Sequence, residues 1–214
     1  MGRLICVVGN TGVGKTTLTR QLCSLAPFVT GLEQHADRPF QDQFKANLQR
    51  YGLANQIDYL LLRTEQELAI RNSYSDGVQD GGLEQDFFVF TRHFFHKGYL
   101  AESEYRLCER TYRLLRQFLP PPDLIIWLAA PLEVIAQRFA KRDRRLEIAA
   151  LQDLQALDEL LVEWLNQVSD IPVIRVDASA DDPTFSYSIR PLLLQINKLL
   201  SSGNANLSPG NWNR

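Results

Sequence analysis

Gly9-Asn10-Thr11-Gly12-Val13-Gly14-Lys15-Thr16 is the stretch on which the reading of this chain turns. It matches G-x-x-x-x-G-K-[ST] in full, with the apolar run Leu4-Ile5-Cys6-Val7-Val8 before it and the helically spaced Thr17-Leu18-Thr19-Arg20-Gln21-Leu22-Cys23 after it. In such a loop a phosphate chain is wrapped by backbone N–H groups, and Gly9, Gly12 and Gly14 permit the close approach that a Cβ would block. The helix that follows turns its positive N-terminus toward the anion. Residues Gly9, Asn10, Thr11, Gly12, Val13 and Gly14 are therefore the expected nucleotide cradle. Lys15 is expected at the β- and γ-phosphates, the Thr16 hydroxyl at Mg²⁺ and Thr17 at the α-phosphate. The stretch predicts a site for ATP or another nucleoside triphosphate.

The rest of the composition narrows the setting. The chain has 214 residues, 45% hydrophobic and 22% charged, enough to bury one substantial core, so one domain is expected. A formal net charge of -2 and a pI near 5.9 leave no general basic surface, so nucleic acid is not an expected partner. Cys6, Cys23 and Cys108 are widely separated in apolar or helical surroundings, which fits reduced core thiols rather than disulfides or a metal site. His35, His93 and His96 have no metal-like grouping either. No apolar run approaches membrane-spanning length, and the first strand begins almost at Met1; a cytoplasmic protein is expected.

Outward from the loop, strands alternate with helices. Phe28 to Glu33 reads as a short second strand ending in a carboxylate, at the end of an open α/β sheet that borders the ligand crevice. Helices are predicted from Phe40 to Leu48 and from Leu53 to Arg71, and a short strand over Val78-Gln79-Asp80. Two amphipathic helices follow, Leu83 to Lys97 and Glu102 to Leu119, the second stopped by Pro120-Pro121-Pro122. Asp123 to Ala129 is apolar enough for a parallel strand covered on both faces. Helices near 131–142, 148–168 and 186–200 and a strand over Ile171 to Asp177 complete a three-layer α/β P-loop fold, a parallel sheet flanked by helices. It should span residues 1–201, with 202–214 a disordered tail.

Two classes of P-loop protein are disfavoured. Asn197-Lys198-Leu199-Leu200 lacks the Asp of a guanine-reading segment, and the strand Leu124 to Ala129 ends in Ala130-Pro131 without the carboxylate that motor-type ATPases place there. A phosphotransferase acting on a small acceptor remains.

From Leu4 to about Asp177 the chain resembles the deoxynucleoside kinase family. Glu33 with Arg38-Pro39-Phe40 is similar to the family's strand-end Glu and helix start, and Gln56 and Arg63 have the family's seven-residue spacing of a base-pairing Gln and its Arg. Asp80 takes the acidic place of the (Asp/Glu)-Arg-Ser motif, and Asp86 that of the acid supporting the base-reading Arg. Arg138, Arg142 and Arg144 resemble an Arg-rich lid, with Glu147 as its carboxylate.

The resemblance implies phosphorylation of a deoxynucleoside 5′-hydroxyl by ATP. Glu33 would be the base, and Lys15, Arg142 and Arg144 would stabilise charge, Arg138 and Arg142 holding the nucleotide as well. Gln56, Arg63, Asp86, Glu33 and Glu147 would hold the nucleoside, and Thr16 and Asp80 would serve Mg²⁺. The alternatives are a nucleotide-binding regulator with little turnover and a nucleoside monophosphate kinase. A homodimer is expected, with the Phe-rich helix Leu83 to Phe95 as its surface. The motif Arg is missing: Gly81-Gly82 stand where Arg-Ser would be. Arg71, Arg92 or a lid arginine is expected to fill that gap, so Gly81→Arg should raise kcat or leave it unchanged.

Overall fold

The computed structural model describes residues 1–31, 39–141, 150–182 and 184–203. Five parallel strands, β1 (Leu4–Val8), β2 (Val29–Gly31), β3 (Gly77–Asp80), β4 (Leu124–Ala129) and β5 (Val173–Asp177), lie in the order β2-β3-β1-β4-β5. The connections leave in opposite directions on either side of the β3–β1 seam. In an open α/β sheet, that switch point outside the carboxyl ends of the strands is where a ligand crevice forms.

Strand β1 alternates its side chains between two cores, as a strand covered on both faces must. Ile5 and Val7 face a core built with α1 (Lys15–Leu25), α7 (Leu132–Ala140) and α9 (Ile189–Gly203). Leu4, Cys6 and Val8 face a second core, built with the end of α3 (Leu48–Arg71), the helical run 83–96 and α8 (Leu154–Gln167). The three-layer expectation holds.

Helix boundaries moved where local signals competed. Helix α2 is Pro39–Ala46, and α3 starts at Leu48 rather than Leu53 because Asn47 caps it, its side chain accepting from the Arg50 N–H at 3.0 Å. The run 83–96 is not one regular helix: α4 (Leu83–Gln85) passes into a π-helical turn, Asp86–Thr91, and then α5 (Arg92–His96). Such turns cluster at functional sites.

This run is interior, which corrects its assignment as a dimer surface. Phe87 stacks on Tyr112 of α6 (Glu102–Phe118) at 4.6 Å, Phe88 on Trp164 of α8 at 6.1 Å, and Phe94 meets Phe44 edge-on at 5.2 Å. Large apolar side chains are exposed on α3 (Leu61, Leu68) and α6 (Leu107, Leu114, Phe118), as they also are at Leu25, Leu151 and Leu194.

The thiols agree with the reduced, core expectation: all three cysteines are free, Cys6 and Cys108 are buried, and burial pushes the Cys108 thiol up to about 12. Among the described residues no helix is long and apolar enough to cross a membrane. Residues 204–214, most of the expected tail, lie outside the described residues.

At the end of the sheet away from the loop, a buried ionic network ties α3, α4, α6 and β4 together. Glu67, 0% exposed, accepts from Arg71 Nε at 2.8 Å and from Arg116 Nη1 at 3.0 Å. Arg116 Nη2 also donates to Glu84 at 3.0 Å, and Arg71 to the carbonyls of Pro120 and Pro121 and to Asp123. Removing one member leaves buried charge uncompensated, so Glu67→Leu is predicted to cost roughly 3–5 kcal/mol in urea unfolding. A loss below about 1 kcal/mol, the size of an exposed pair, would show that the network is not desolvated as described.

Candidate active site

The phosphate loop leaves β1 at Val8, and its glycines adopt the left-handed dihedrals that the motif requires: φ is 154° at Gly9, 89° at Gly12 and 114° at Gly14. Its second residue is braced from outside. Asn10 Nδ2 donates to the Leu154 carbonyl at 2.8 Å and to Asp158 at 3.3 Å, while Asn10 Oδ1 accepts from the Thr11 N–H at 2.8 Å. Burial raises the Asp158 carboxyl, with the Asn10 bond opposing it. The Lys15 ammonium lies folded back along the loop, donating to the Gly9 carbonyl at 2.9 Å and the Asn10 carbonyl at 3.1 Å. Thr17 follows in the first turn of α1.

Next to the loop stands the end of β3. The register sets Val7 opposite Asp80, and the Gly81 N–H closes the seam on the Val7 carbonyl at 2.8 Å. This carries the Asp80 carboxylate to Thr16, whose hydroxyl donates to Asp80 Oδ2 at 2.5 Å. A hydroxyl and a carboxylate oxygen so close form the donor set a hard cation takes, and Mg²⁺ adds waters and substrate phosphates rather than needing an all-protein cage. Among the described residues no group of three or more His, Cys, Asp or Glu is placed to hold a metal ion.

Beyond Asp80 lies a second polar cluster. Arg63 Nε donates to Asp86 Oδ2 at 2.5 Å and Arg63 Nη1 to the Asp80 carbonyl at 2.7 Å, with 3% of Arg63 and 4% of Asp86 exposed. Gln56, one turn-pair earlier on α3, is tied to the same cluster through Thr91. The Thr91 hydroxyl lies 2.8 Å from Gln56 Oε1 and 2.9 Å from the Asp86 carbonyl. The residues spaced along α3 and the residues of the π-helical turn thus meet across one small volume. Arg138 approaches the loop from α7, and its guanidinium donates to the carbonyls of Val13 at 3.3 Å, Ala178 at 2.7 Å and Ala180 at 2.6 Å. It staples the loop to the segment after β5.

Glu33, Arg142, Arg144 and Glu147 lie outside the described residues. Neither named stand-in for the missing motif Arg serves as one. Arg71 belongs to the network at the far end of the sheet, where the Gly2 N–H binds its carbonyl, and Arg92 pairs with Glu163 at 3.1 Å. The cation beside Gly81 is Arg63: a Cβ built on Gly81 would lie 3.0 Å from Arg63 Nη2 and 3.2 Å from Cζ. Gln85, which holds Gly9, and Thr91, which holds Gln56, were not found from the sequence.

A cradle of left-handed glycines, a P-loop lysine and a hydroxyl–carboxylate pair at the switch point of a parallel sheet define a P-loop phosphotransferase. The deoxynucleoside kinase family profile matches residues 5–201, and the chain belongs to that family. It is 32% identical over 180 residues to the deoxyadenosine kinase of Dictyostelium discoideum, covering 83% of this chain and 73% of that one. It is 26% identical over 176 residues to the deoxyadenosine/deoxycytidine kinase of Bacillus subtilis, covering 81% of each. Deoxyadenosine kinase from M. mycoides, solved with dATP bound, superposes with a TM-score of 0.77 at 22% identity, covering 91% of this chain and 99% of its own.

The geometry at Gly81 reverses the expected gain from Gly81→Arg. With φ at 88°, any side chain there adopts a left-handed backbone at a cost of roughly 1–2 kcal/mol and its Cβ meets the Arg63 guanidinium. Gly81→Arg and Gly81→Ala are both predicted to lower the midpoint of thermal unfolding and to reduce kcat/KM. A Gly81→Arg variant with wild-type stability and raised kcat would contradict this placement of Arg63.

Proposed function

We propose that the protein transfers the γ-phosphoryl group of ATP to the 5′-hydroxyl of a purine deoxynucleoside or deoxycytidine. The observation that carries the reading is the placement of two polar clusters on either side of Gly81. One is Thr16 with Asp80 against the phosphate loop; the other is Gln56, Arg63, Asp86 and Thr91.

On this reading Lys15 leaves its carbonyls for the β- and γ-phosphates, and Thr16 and Asp80 would hold Mg²⁺, which would supply neutralisation of the phosphate charge. Glu33 accepts the proton of the attacking hydroxyl, and Arg142 and Arg144, with Arg138 and Glu147, belong to a lid that excludes water. Gln56 supplies a donor and an acceptor to the base, and Arg63, held by Asp86, supplies donors only. Thymidine is the least favoured substrate in this scheme. Three free thiols support a reducing, cytoplasmic setting.

The test is product analysis with MgATP and the four deoxynucleosides, alongside deoxynucleoside monophosphates. Monophosphate formation, greatest for deoxyadenosine, deoxyguanosine or deoxycytidine and reduced at least about a hundredfold in Lys15→Ala, is the expected outcome. ATP binding without phosphorylation of any deoxynucleoside would favour a regulator, and diphosphate products a nucleotide kinase.

The chain acts as a homodimer in this reading, through α3 and α6. Each helix carries an exposed apolar stripe with seven-residue spacing, Leu61 with Leu68 and Leu107 with Leu114, and Phe118 is 78% exposed. Such side chains, on two helices that pack together, are what a second copy would cover. Light scattering at micromolar concentration should give a dimer for wild type and a monomer for Leu114→Glu with Phe118→Glu. A monomeric wild type would overturn the assignment.

A further inference from the structure

The amide of Gln85 grips the first residue of the phosphate loop at both of its backbone groups. The Gly9 N–H donates to Gln85 Oε1 at 3.1 Å, and Gln85 Nε2 donates to the Gly9 carbonyl at 3.0 Å. Gln85 is 2% exposed, so the two bonds are made away from competing water. The same Gly9 carbonyl is also an oxygen on which the Lys15 ammonium rests. A carbonyl oxygen carries two lone pairs and holds both donors at once.

That double occupancy matters when an anion recruits Lys15. Moving the ammonium to a phosphate strips a donor from the Gly9 and Asn10 carbonyls, and a buried carbonyl left bare costs free energy. Neither is left bare here: the Val13 N–H remains on the Asn10 carbonyl at 3.3 Å, and Gln85 Nε2 remains on that of Gly9. The Gly9 peptide cannot readily turn to find another partner, because its surroundings are tight. A Cβ on Gly9 would lie 2.7 Å from the Leu128 carbonyl and 2.8 Å from Val13 Cγ1.

We propose that Gln85 is a positioning residue for the phosphate donor: it fixes the Gly9 peptide and keeps the Gly9 carbonyl bonded after Lys15 departs, which makes the lysine available to the nucleotide. The inference rests on the reading of Lys15 as a phosphate ligand. A side-chain amide of this reach accepts from the N–H and donates to the C=O of one residue, which an ionised carboxylate cannot do. Glutamate at 85 would accept from the N–H, could not donate to the carbonyl, and would hold the ammonium in its resting place by charge. Leucine would fill the space and do neither.

Calorimetric titration of the full chain with MgATP, and separately with deoxyadenosine, tests this. Gln85→Leu should weaken ATP binding about fivefold to tenfold, and Gln85→Glu at least as much. Deoxyadenosine affinity should stay within about twofold, although Asp86 is the next residue. In a Lys15→Ala background the effect of Gln85→Leu on ATP should shrink, since no ammonium is there to be released. An unchanged ATP affinity in Gln85→Leu, an equal loss for both ligands, or an undiminished effect without Lys15 would overturn the proposal. A wild type that binds no ATP would overturn the Lys15 reading and this inference together, so the two failures are distinguishable.

Discussion

The pairing of β1 with β3 is the constraint on which the site depends. Parallel strands have a fixed register, and setting Val7 level with Asp80 means that the two chains leave the sheet side by side. One exit becomes the phosphate loop and the other becomes Asp80-Gly81-Gly82. Their proximity follows from backbone hydrogen bonds buried between two covered faces, not from contacts between the loops themselves. Hydrogen bonds across the seam bring the Thr16 hydroxyl to the Asp80 carboxylate as a consequence.

Gly81 shows how a departure from the family motif is absorbed. An arginine at this place would carry its own cation; a glycine carries none, but its left-handed backbone and missing Cβ leave the space that the Arg63 guanidinium occupies. Arg63 is anchored on both sides, by the Asp86 carboxylate and the Asp80 carbonyl. A buried guanidinium with charge-assisted bonds in fixed directions is far more expensive to move than an exposed one. The cation next to Gly81 therefore belongs to α3 rather than to the loop after β3.

What could be read from the sequence divides along the range of the interactions. The phosphate loop was legible because its chemistry demands particular residues at fixed spacing within one short stretch, and the central strands β1 and β4 because both of their faces are covered. The seven-residue spacing of Gln56 and Arg63 was legible through family resemblance, since two turns of helix set both on one face. Gln85 was not: its partner Gly9 is 76 positions away, and a glutamine inside a helical pattern carries no signal of what its amide will meet. The Phe-rich run misled for a related reason. Aromatic side chains around a whole helix fit an interface or an interior equally well, and only the packing of α6 and α8 on opposite sides of it selects the interior.

Three consecutive residues where α4 passes into the π-helical turn explain why the helical run must start where it does. Successive side chains on a helix point about 100° apart, so Glu84, Gln85 and Asp86 face three directions although they are neighbours. Glu84 joins Arg116 in the network at the far end of the sheet, Gln85 holds Gly9, and Asp86 holds Arg63. All three are at most 6% exposed. Burial raises the Glu84 carboxyl even against the pull of Arg116, a measure of how dry this position is. A frame shift of one residue in this segment would turn every one of them away from its partner. The Gly81-Gly82 link sets that phase, and the π-helical turn after it resets the phase so that Thr91 returns to Gln56. One short helical run therefore joins the ionic network, the phosphate loop and the Arg63 guanidinium at once.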